Sequence, residues 1–128
     1  MDQDKMVKSM RKVADKIISE NGQLNLCMLV VDEDMDTFTL FVSAKWLDDI
    51  DIYEGTRIIV KYIFEAEERD IINQISKVKL IRSTDPGVLF INNFYNVKNS
   101  IVRVNNCRLN NVLIPKAILF EASILEND

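Results

Sequence analysis

Residues 24–42 of the 128-residue chain read LNLCMLVVDEDMDTFTLFV, and this stretch predicts the β-hairpin on which the rest of the fold is built. Residues 24–31 are predicted as a strand because their apolar side chains alternate between two faces, and towards residue 31 both faces are apolar. The polar residues 32–36 predict a turn, and residues 37–42 predict the returning strand of an antiparallel hairpin. A strand with two apolar faces is usually covered on both. We therefore expect the first strand of this hairpin to be central in a sheet or covered on both faces.

One helix precedes the hairpin, and further helices and strands follow it. Residues 4–20 carry apolar side chains at helical spacing and end at Asn21-Gly22, which favours a helix stop. Asp85-Pro86 combines a capping residue with a proline at the first helical position. The other predicted elements are a short helix at 44–49, a helix from 51 to about 64, a loop or helical turn at 65–70, a strand at 74–82, a helix from 85 to about 95, strands at 100–105 and 112–122 with a tight turn at 110–111, and a frayed acidic tail at 123–128.

The order of these elements is α-β-β-α-(α)-β-α-β-β, which indicates a single α+β domain over residues 1–128. We expect a mostly antiparallel five-stranded sheet with helices packed on one face. Pro115 within the last strand predicts an edge position or a bulge at that point.

The chain contains no histidine, and this excludes several classes of site. A Ser-His-Asp or Cys-His nucleophile needs an imidazole base, and common zinc sites need histidine or several cysteines. Cys27 and Cys107 are the two cysteines. We expect both to be reduced, unreactive thiols of a cytoplasmic protein, because the N-terminal residues show no secretory pattern. We predict no catalytic residue, no metal site and no cofactor.

The net charge of −4 is unevenly distributed along the chain. Residues 1–20 carry +1, residues 21–72 carry −8 and residues 73–128 carry +3. No region is basic enough to favour duplex nucleic acid, and the longest apolar run, residues 26–31, is too short for a membrane span. We therefore expect a protein partner, and a basic one, rather than nucleic acid or a membrane.

Acidic and aromatic residues cluster just after the hairpin. Asp51 and Glu54 match a capping box at a helix start, where acids also complement the helix dipole. Tryptophan and tyrosine are frequent interface anchors because they bury a large area at low entropic cost. The predicted docking patch comprises Trp46, Asp48, Asp49, Asp51, Tyr53 and Glu54.

Two functions of different classes follow from these observations. The first is a small intracellular protein of bacterial or phage type that acts as a non-enzymatic protein–protein interaction module with an acidic docking face. Bacterial immunity and inhibitor proteins provide an analogy in size and charge. The second is a magnesium-dependent enzyme of phosphoryl-transfer or nuclease type, which needs converging carboxylates. Its candidate ligands are Asp34, Asp36, Asp48 and Asp51. A fold that binds a small ligand between sheet and helices is a third option.

The first helix raises the question of a dimer. Lys5, Lys8, Lys12 and Lys16 lie beside its apolar stripe. Such a stripe normally packs on the sheet of the same chain. The alternative is that it packs on a second copy, which would give a homodimer through the N-terminal helix.

Overall fold

The computed structural model describes residues 3–32, 34–66, 69–109 and 112–123, and the predicted hairpin lies at the centre of its sheet. Strand β1 (Leu26–Asp32) pairs antiparallel with β2 (Thr37–Ser43) on one side. On its other side it pairs antiparallel with β5 (Val112–Ala122). The central position expected for the first strand of the hairpin is therefore confirmed.

The remaining elements follow the predicted order. They are α1 (Gln3–Asn21), a 3-10 helix (Lys45–Leu47), α2 (Ile52–Ala66), α3 (Arg69–Ile72), β3 (Ile75–Leu80), α4 (Pro86–Phe94) and β4 (Val102–Leu109). The α+β class is confirmed. The predicted turn at 110–111 and residues 124–128 of the predicted tail lie outside the described residues.

The five strands lie in the order β3-β2-β1-β5-β4. The pairs β1–β2, β1–β5 and β4–β5 are antiparallel, whereas β2–β3 is parallel. Parallel neighbours need a crossover, and α2 provides it by returning the chain to the end of the sheet where β2 begins. The sheet is therefore mostly antiparallel, as predicted, but mixed.

Helices cover both faces of the sheet, which corrects the expectation that they pack on one face. Cys27 lies on the face of β1 that packs against α1 and α2. Leu26 and Met28 lie on the other face, in a second core cluster with Val88 and Ile91 of α4. Burying one large apolar side chain contributes roughly 1.5–3 kcal/mol, so a strand with two apolar faces favours cover on both.

Strand β5 carries an extra residue, Phe120, where it pairs with β1. Cys27 lies opposite Glu121, and Met28 lies opposite Leu119. Such a bulge bends the strand and changes the direction of neighbouring side chains. Phe120 and Cys27 both belong to the core under α1, and Glu121, the partner of Cys27, reaches the same side.

Pro115 occupies a part of β5 that has only one neighbouring strand. The pairing with β1 extends from Leu26–Ala122 to Val30–Ala117. Around Pro115 the paired partner is β4 alone. The predicted edge position is confirmed locally, because a proline without an N–H is tolerated where one side of a strand is unpaired.

The start of α4 also follows the prediction. Pro86 is its first residue, and the Asp85 carboxylate accepts a hydrogen bond from the Gly87 N–H at 2.8 Å. This cap fixes where α4 begins after β3, and so fixes the loop that supports the candidate site described next.

Candidate functional site: the acidic corner

The segment between β2 and α2 is fastened to the loop that follows β3. Arg82, in that loop, donates from Nη1 to the carbonyl oxygens of Leu47 (3.1 Å), Asp48 (2.5 Å) and Ile50 (3.2 Å). A guanidinium supplies several donors in a rigid plane. It can therefore fix the end of the 3-10 helix and the residues that join it to α2.

Asp48 adds a second connection between the same two loops. Its carboxylate accepts from the Ser83 N–H at 2.9 Å and from the Ser83 hydroxyl. The side chain is half-buried. Asp48 therefore acts as a bridge within the chain, and its carboxylate is occupied.

Trp46 is likewise held by the chain itself. Its Nε1 donates to the Gln23 carbonyl oxygen at 3.2 Å, and its half-buried ring packs against the core under α1. Gly22, after the end of α1, has φ of +118°, and a Cβ placed there would lie 3.6 Å from the indole ring. Glycine adopts this backbone conformation without strain. Trp46 and Asp48 are therefore half-buried and bonded within the chain, and their part in a docking patch stays a prediction.

Asp51 caps the N-terminus of α2. Its Oδ2 accepts from the N–H groups of Tyr53 (3.0 Å) and Glu54 (3.3 Å). Glu54, the other residue of the predicted capping box, lies 3.5 Å from Arg57 of the next turn. The cap determines where α2 starts and therefore where the following side chains project.

The exposed remainder of the predicted patch, together with Ile52, is here called the acidic corner: Asp49, Asp51, Ile52, Tyr53 and Glu54. Tyr53 is 80% exposed, and Ile52 is 41% exposed. The corner thus presents an aromatic ring, an aliphatic side chain and three carboxylates on a fixed turn of backbone.

Other acidic residues of the middle region lie at the opposite end of β2. Asp34 and Asp36 precede β2, whereas Asp48 and Asp51 follow it. The length of β2 separates the two pairs by about 20 Å at roughly 3.3 Å per residue. Within the described residues, no group of three or more Asp, Glu or Cys side chains could hold a metal ion. These four carboxylates therefore do not converge as a magnesium-dependent enzyme would require.

The apolar stripe of α1 is used within the chain. Met6, Met10 and Ile17 are at most 1% exposed and belong to the core under this helix. The homodimer through the N-terminal helix stays a prediction. It would have to form through the exposed side that carries Lys8 and Lys12, because the stripe is covered.

A buried charge cluster that was not predicted from the sequence joins α1 to β5. Glu121 is 1% exposed, and its Oε2 lies 2.5 Å from Arg11 Nη2. Gln23 donates to Oε1 at 2.6 Å, and the Asn99 N–H donates to Oε2 at 2.9 Å. Each carboxylate oxygen therefore has a donor. The available signal was a single glutamate in the otherwise apolar run 118–122.

Arg11 completes this cluster through the backbone. Its Nη1 donates to the carbonyl oxygens of Ser100 and Phe120, each at 2.6 Å. Its Nε donates to Asp15 at 3.1 Å. Like Arg82, Arg11 binds several backbone carbonyl oxygens, and it also binds the carboxylates of Asp15 and Glu121.

Cys27 lies beside this cluster as a free, buried thiol. Burial raises its pKa from 9.0 to about 12, because the thiolate would lose its hydration. The positive charge of Arg11 lowers the pKa, and the negative charge of Glu121 raises it. A thiol with this pKa stays protonated near neutral pH, which supports the prediction that Cys27 is unreactive. The side chain of Cys107 lies outside the described part of the chain.

Helix α4 presents an exposed apolar surface apart from the acidic corner. Leu89, Phe90 and Phe94 are 43%, 51% and 69% exposed, and the two phenylalanine rings lie 4.9 Å apart. The signal in the sequence was a helix that is apolar on nearly every side, a pattern typical of burial on all sides. The pattern alone does not indicate which side of such a helix stays in solvent.

Comparison of the chain with protein-family models, with curated proteins and with solved structures finds no match. Among the helices of the described residues, none is both long enough and apolar enough to cross a membrane. The acidic corner therefore has to be interpreted from its own chemistry.

Proposed function

We propose that this chain is a protein–protein interaction module that binds a basic segment of a partner protein through the acidic corner. One observation carries the proposal. Tyr53 holds an aromatic ring 80% exposed among acidic residues, on a segment of backbone that the rest of the chain fixes in place.

The fixed backbone supports this function energetically. A surface that must be ordered on binding loses affinity through conformational entropy, and a preorganised surface avoids that loss. Arg82 holds three carbonyl groups of the segment, Asp48 joins it to Ser83, and Asp51 caps α2. These contacts occupy main-chain groups, the Ser83 hydroxyl and the carboxylates of Asp48 and Asp51, and they leave Tyr53 projecting into solvent.

The charge of the corner specifies the chemistry of the partner. Asp49, Asp51 and Glu54 are exposed carboxylates, and Glu54 is paired with Arg57. Exposed charges of one sign speed association with the opposite charge and discourage partners of like charge. A lysine- or arginine-rich segment supplies the opposite charge, and an apolar or aromatic side chain within it supplies a contact for Tyr53.

A selection from a random peptide library tests this proposal, because the library presents segments of every charge and composition to the corner at once. Immobilised protein is exposed to displayed 12-residue peptides, and bound peptides are sequenced and synthesised. We expect enrichment in lysine and arginine, and at least about tenfold weaker binding of these peptides to Tyr53→Ala.

Phe64→Ala is the matched control, because Phe64 is also an exposed aromatic residue of α2, at 61% exposure. Basic peptides should bind this variant as they bind the unaltered chain. Absence of basic peptides from the selected set, or equal weakening of their binding by both substitutions, would contradict the proposal.

A further inference from the structure

A groove of about 210 Å³ lies between α2 and the edge strand β3. Its lining is mainly apolar, with Ser76 and Lys77 as its polar members beside Val60, Ile63, Phe64, Ile72, Ile75 and Val78. Sites for small ligands usually measure roughly 300–1,000 Å³. This groove is smaller, and its size suits one large apolar side chain rather than a cofactor.

The strand beside the groove has a free edge. In the described part of the chain, β2 is the strand that pairs with β3, and the outer side of β3 has no paired strand. The Ile81 N–H donates to the Val42 carbonyl oxygen at 3.0 Å. Because backbone groups alternate in direction along a strand, Lys79 and Lys77 bond towards β2, and the N–H and C=O of Val78 point outwards.

The two faces of this edge differ in chemistry. Val78 packs towards the core under α2, beside the groove. Lys77 lies opposite Thr39 and Lys79 lies opposite Phe41 in the sheet register, and both lysines are exposed. Phe41, the register partner of Lys79, packs on the face that carries α4. Alternation directs Lys77 and Lys79 towards that face, and Lys77 also borders the groove.

We propose that β3 binds an extended segment of a partner protein in which one large apolar residue lies between two acidic residues. The backbone of the segment pairs with Val78 and extends the sheet by one strand. The apolar side chain enters the groove, and the acidic side chains on either side of it lie beside Lys77 and Lys79. This surface is distinct from the acidic corner and selects the opposite charge, so the proposal does not rest on the proposed function.

A second copy of the chain is a poor occupant of this edge. Pairing β3 with another β3 would place Lys77 and Lys79 of each strand close to those of the other, and like charges oppose that arrangement. Edge lysines are also a common protection against unwanted strand pairing. If the lysines only protect the edge against strand pairing, an acidic segment should not bind selectively. Peptide binding therefore distinguishes protection of the edge from recognition of a partner.

The test uses the full chain and labelled peptides in fluorescence anisotropy. The probe is the peptide STEFETS, and the controls are STKFKTS and STEFETS with an N-methylated phenylalanine. We expect saturable binding of STEFETS, and at least about tenfold weaker binding of both controls. Amide shifts of isotope-labelled protein should be largest in residues 75–80 and absent from residues 49–54.

A charge exchange gives the decisive comparison. The variant Lys77→Glu/Lys79→Glu changes two exposed side chains, and its thermal unfolding shows whether it folds. It should no longer bind STEFETS, and it should bind STKFKTS instead. Failure of STEFETS to bind, equal binding of the two peptides by the unaltered chain, or an unchanged preference in the folded variant would overturn the proposal.

Discussion

The buried cluster at Glu121 and the acidic corner are two charged regions with similar parts and opposite exposure. In each, one arginine collects backbone carbonyl oxygens: Arg11 those of Ser100 and Phe120, and Arg82 three in the segment before α2. Around Arg11 the carboxylate is buried and every oxygen has a donor. Around Arg82 the backbone is fixed, and Tyr53 with its neighbouring carboxylates stays in solvent.

This difference indicates which charges serve folding and which are available to a partner. Paired charges with little exposure cannot be removed singly without leaving the other unsatisfied. Exposed charges contribute little to stability, so their sign can be changed at small cost to the fold. Substitutions in the two regions should therefore differ in what they change, stability in one and recognition in the other.

Arg11→Met should lower the free energy of unfolding by about 3–5 kcal/mol, because it leaves Glu121 charged and buried without its cation. Urea denaturation at neutral pH measures the change. Arg57→Met is the matched control, since its pair with Glu54 is exposed on both sides, and we expect a change within about 0.5 kcal/mol. The double variant Arg11→Met/Glu121→Gln should recover part of the loss; no recovery would mean that the charge of Glu121 is not the cause.

Cys27, beside the buried cluster, makes the stability of the chain depend on pH. Its pKa in the folded chain is raised from 9.0 to about 12, so above about pH 9 the unfolded chain loses this proton while the folded chain keeps it. The stability from this group is therefore complete below about pH 9 and decreases by about 1.4 kcal/mol per pH unit above it.

Chemical denaturation of the unaltered chain and of Cys27→Ala between about pH 8 and pH 10.5 isolates this effect. The unaltered chain should lose about 2 kcal/mol more than the variant over that range. Parallel pH curves would show that the Cys27 thiol ionises as readily in the folded chain as in the unfolded one.

Arg82→Met should cost about 2 kcal/mol, because three carbonyl oxygens lose a charged donor while water can replace part of the interaction. Thermal and urea unfolding measure it. We also expect weaker binding of the selected basic peptides, since the segment before α2 is no longer fixed. Unchanged peptide affinity in the folded variant would show that the rigidity of this segment does not contribute to binding.

Asp51→Ala should cost about 1 kcal/mol through loss of the cap on α2. Asp51→Asn keeps an acceptor for the N–H groups and should restore most of that stability. Urea denaturation of the two variants side by side separates capping from charge; equal losses in both would assign the effect to the charge.

Much of the framework could be predicted because it depends on local patterns. The hairpin followed from alternation in residues 24–42, and the start of α4 followed from Asp85-Pro86. The parallel crossover to β3 was missed, and the prediction of helices on one face of the sheet was wrong, although the two apolar faces of β1 already favoured cover on both sides. Alternation alone does not specify which helix supplies each cover.

The candidate site was only partly predictable for a related reason. The acidic and aromatic composition of the corner is visible in the sequence. The hydrogen-bond partners of Trp46 and Asp48 are Gln23 and Ser83, which are distant from them in the chain. Arg11 and Glu121 are farther apart still, and the extra residue in β5 that brings them together has no signature in composition or spacing. Long-range contacts of this kind depend on the assembled sheet.

The central claim is that Asp49 and Glu54, the exposed carboxylates of the acidic corner besides the cap Asp51, serve recognition and not folding. The variant Asp49→Lys/Glu54→Lys tests it, with Asp34→Lys/Glu65→Lys as a control of equal charge change at exposed positions outside the corner. One measurement compares the affinity of a selected basic peptide for both folded variants. We predict at least about tenfold weaker binding for the corner variant than for the control, with unfolding free energies within about 0.5 kcal/mol of the unaltered chain. Equal binding by the two variants would contradict the claim.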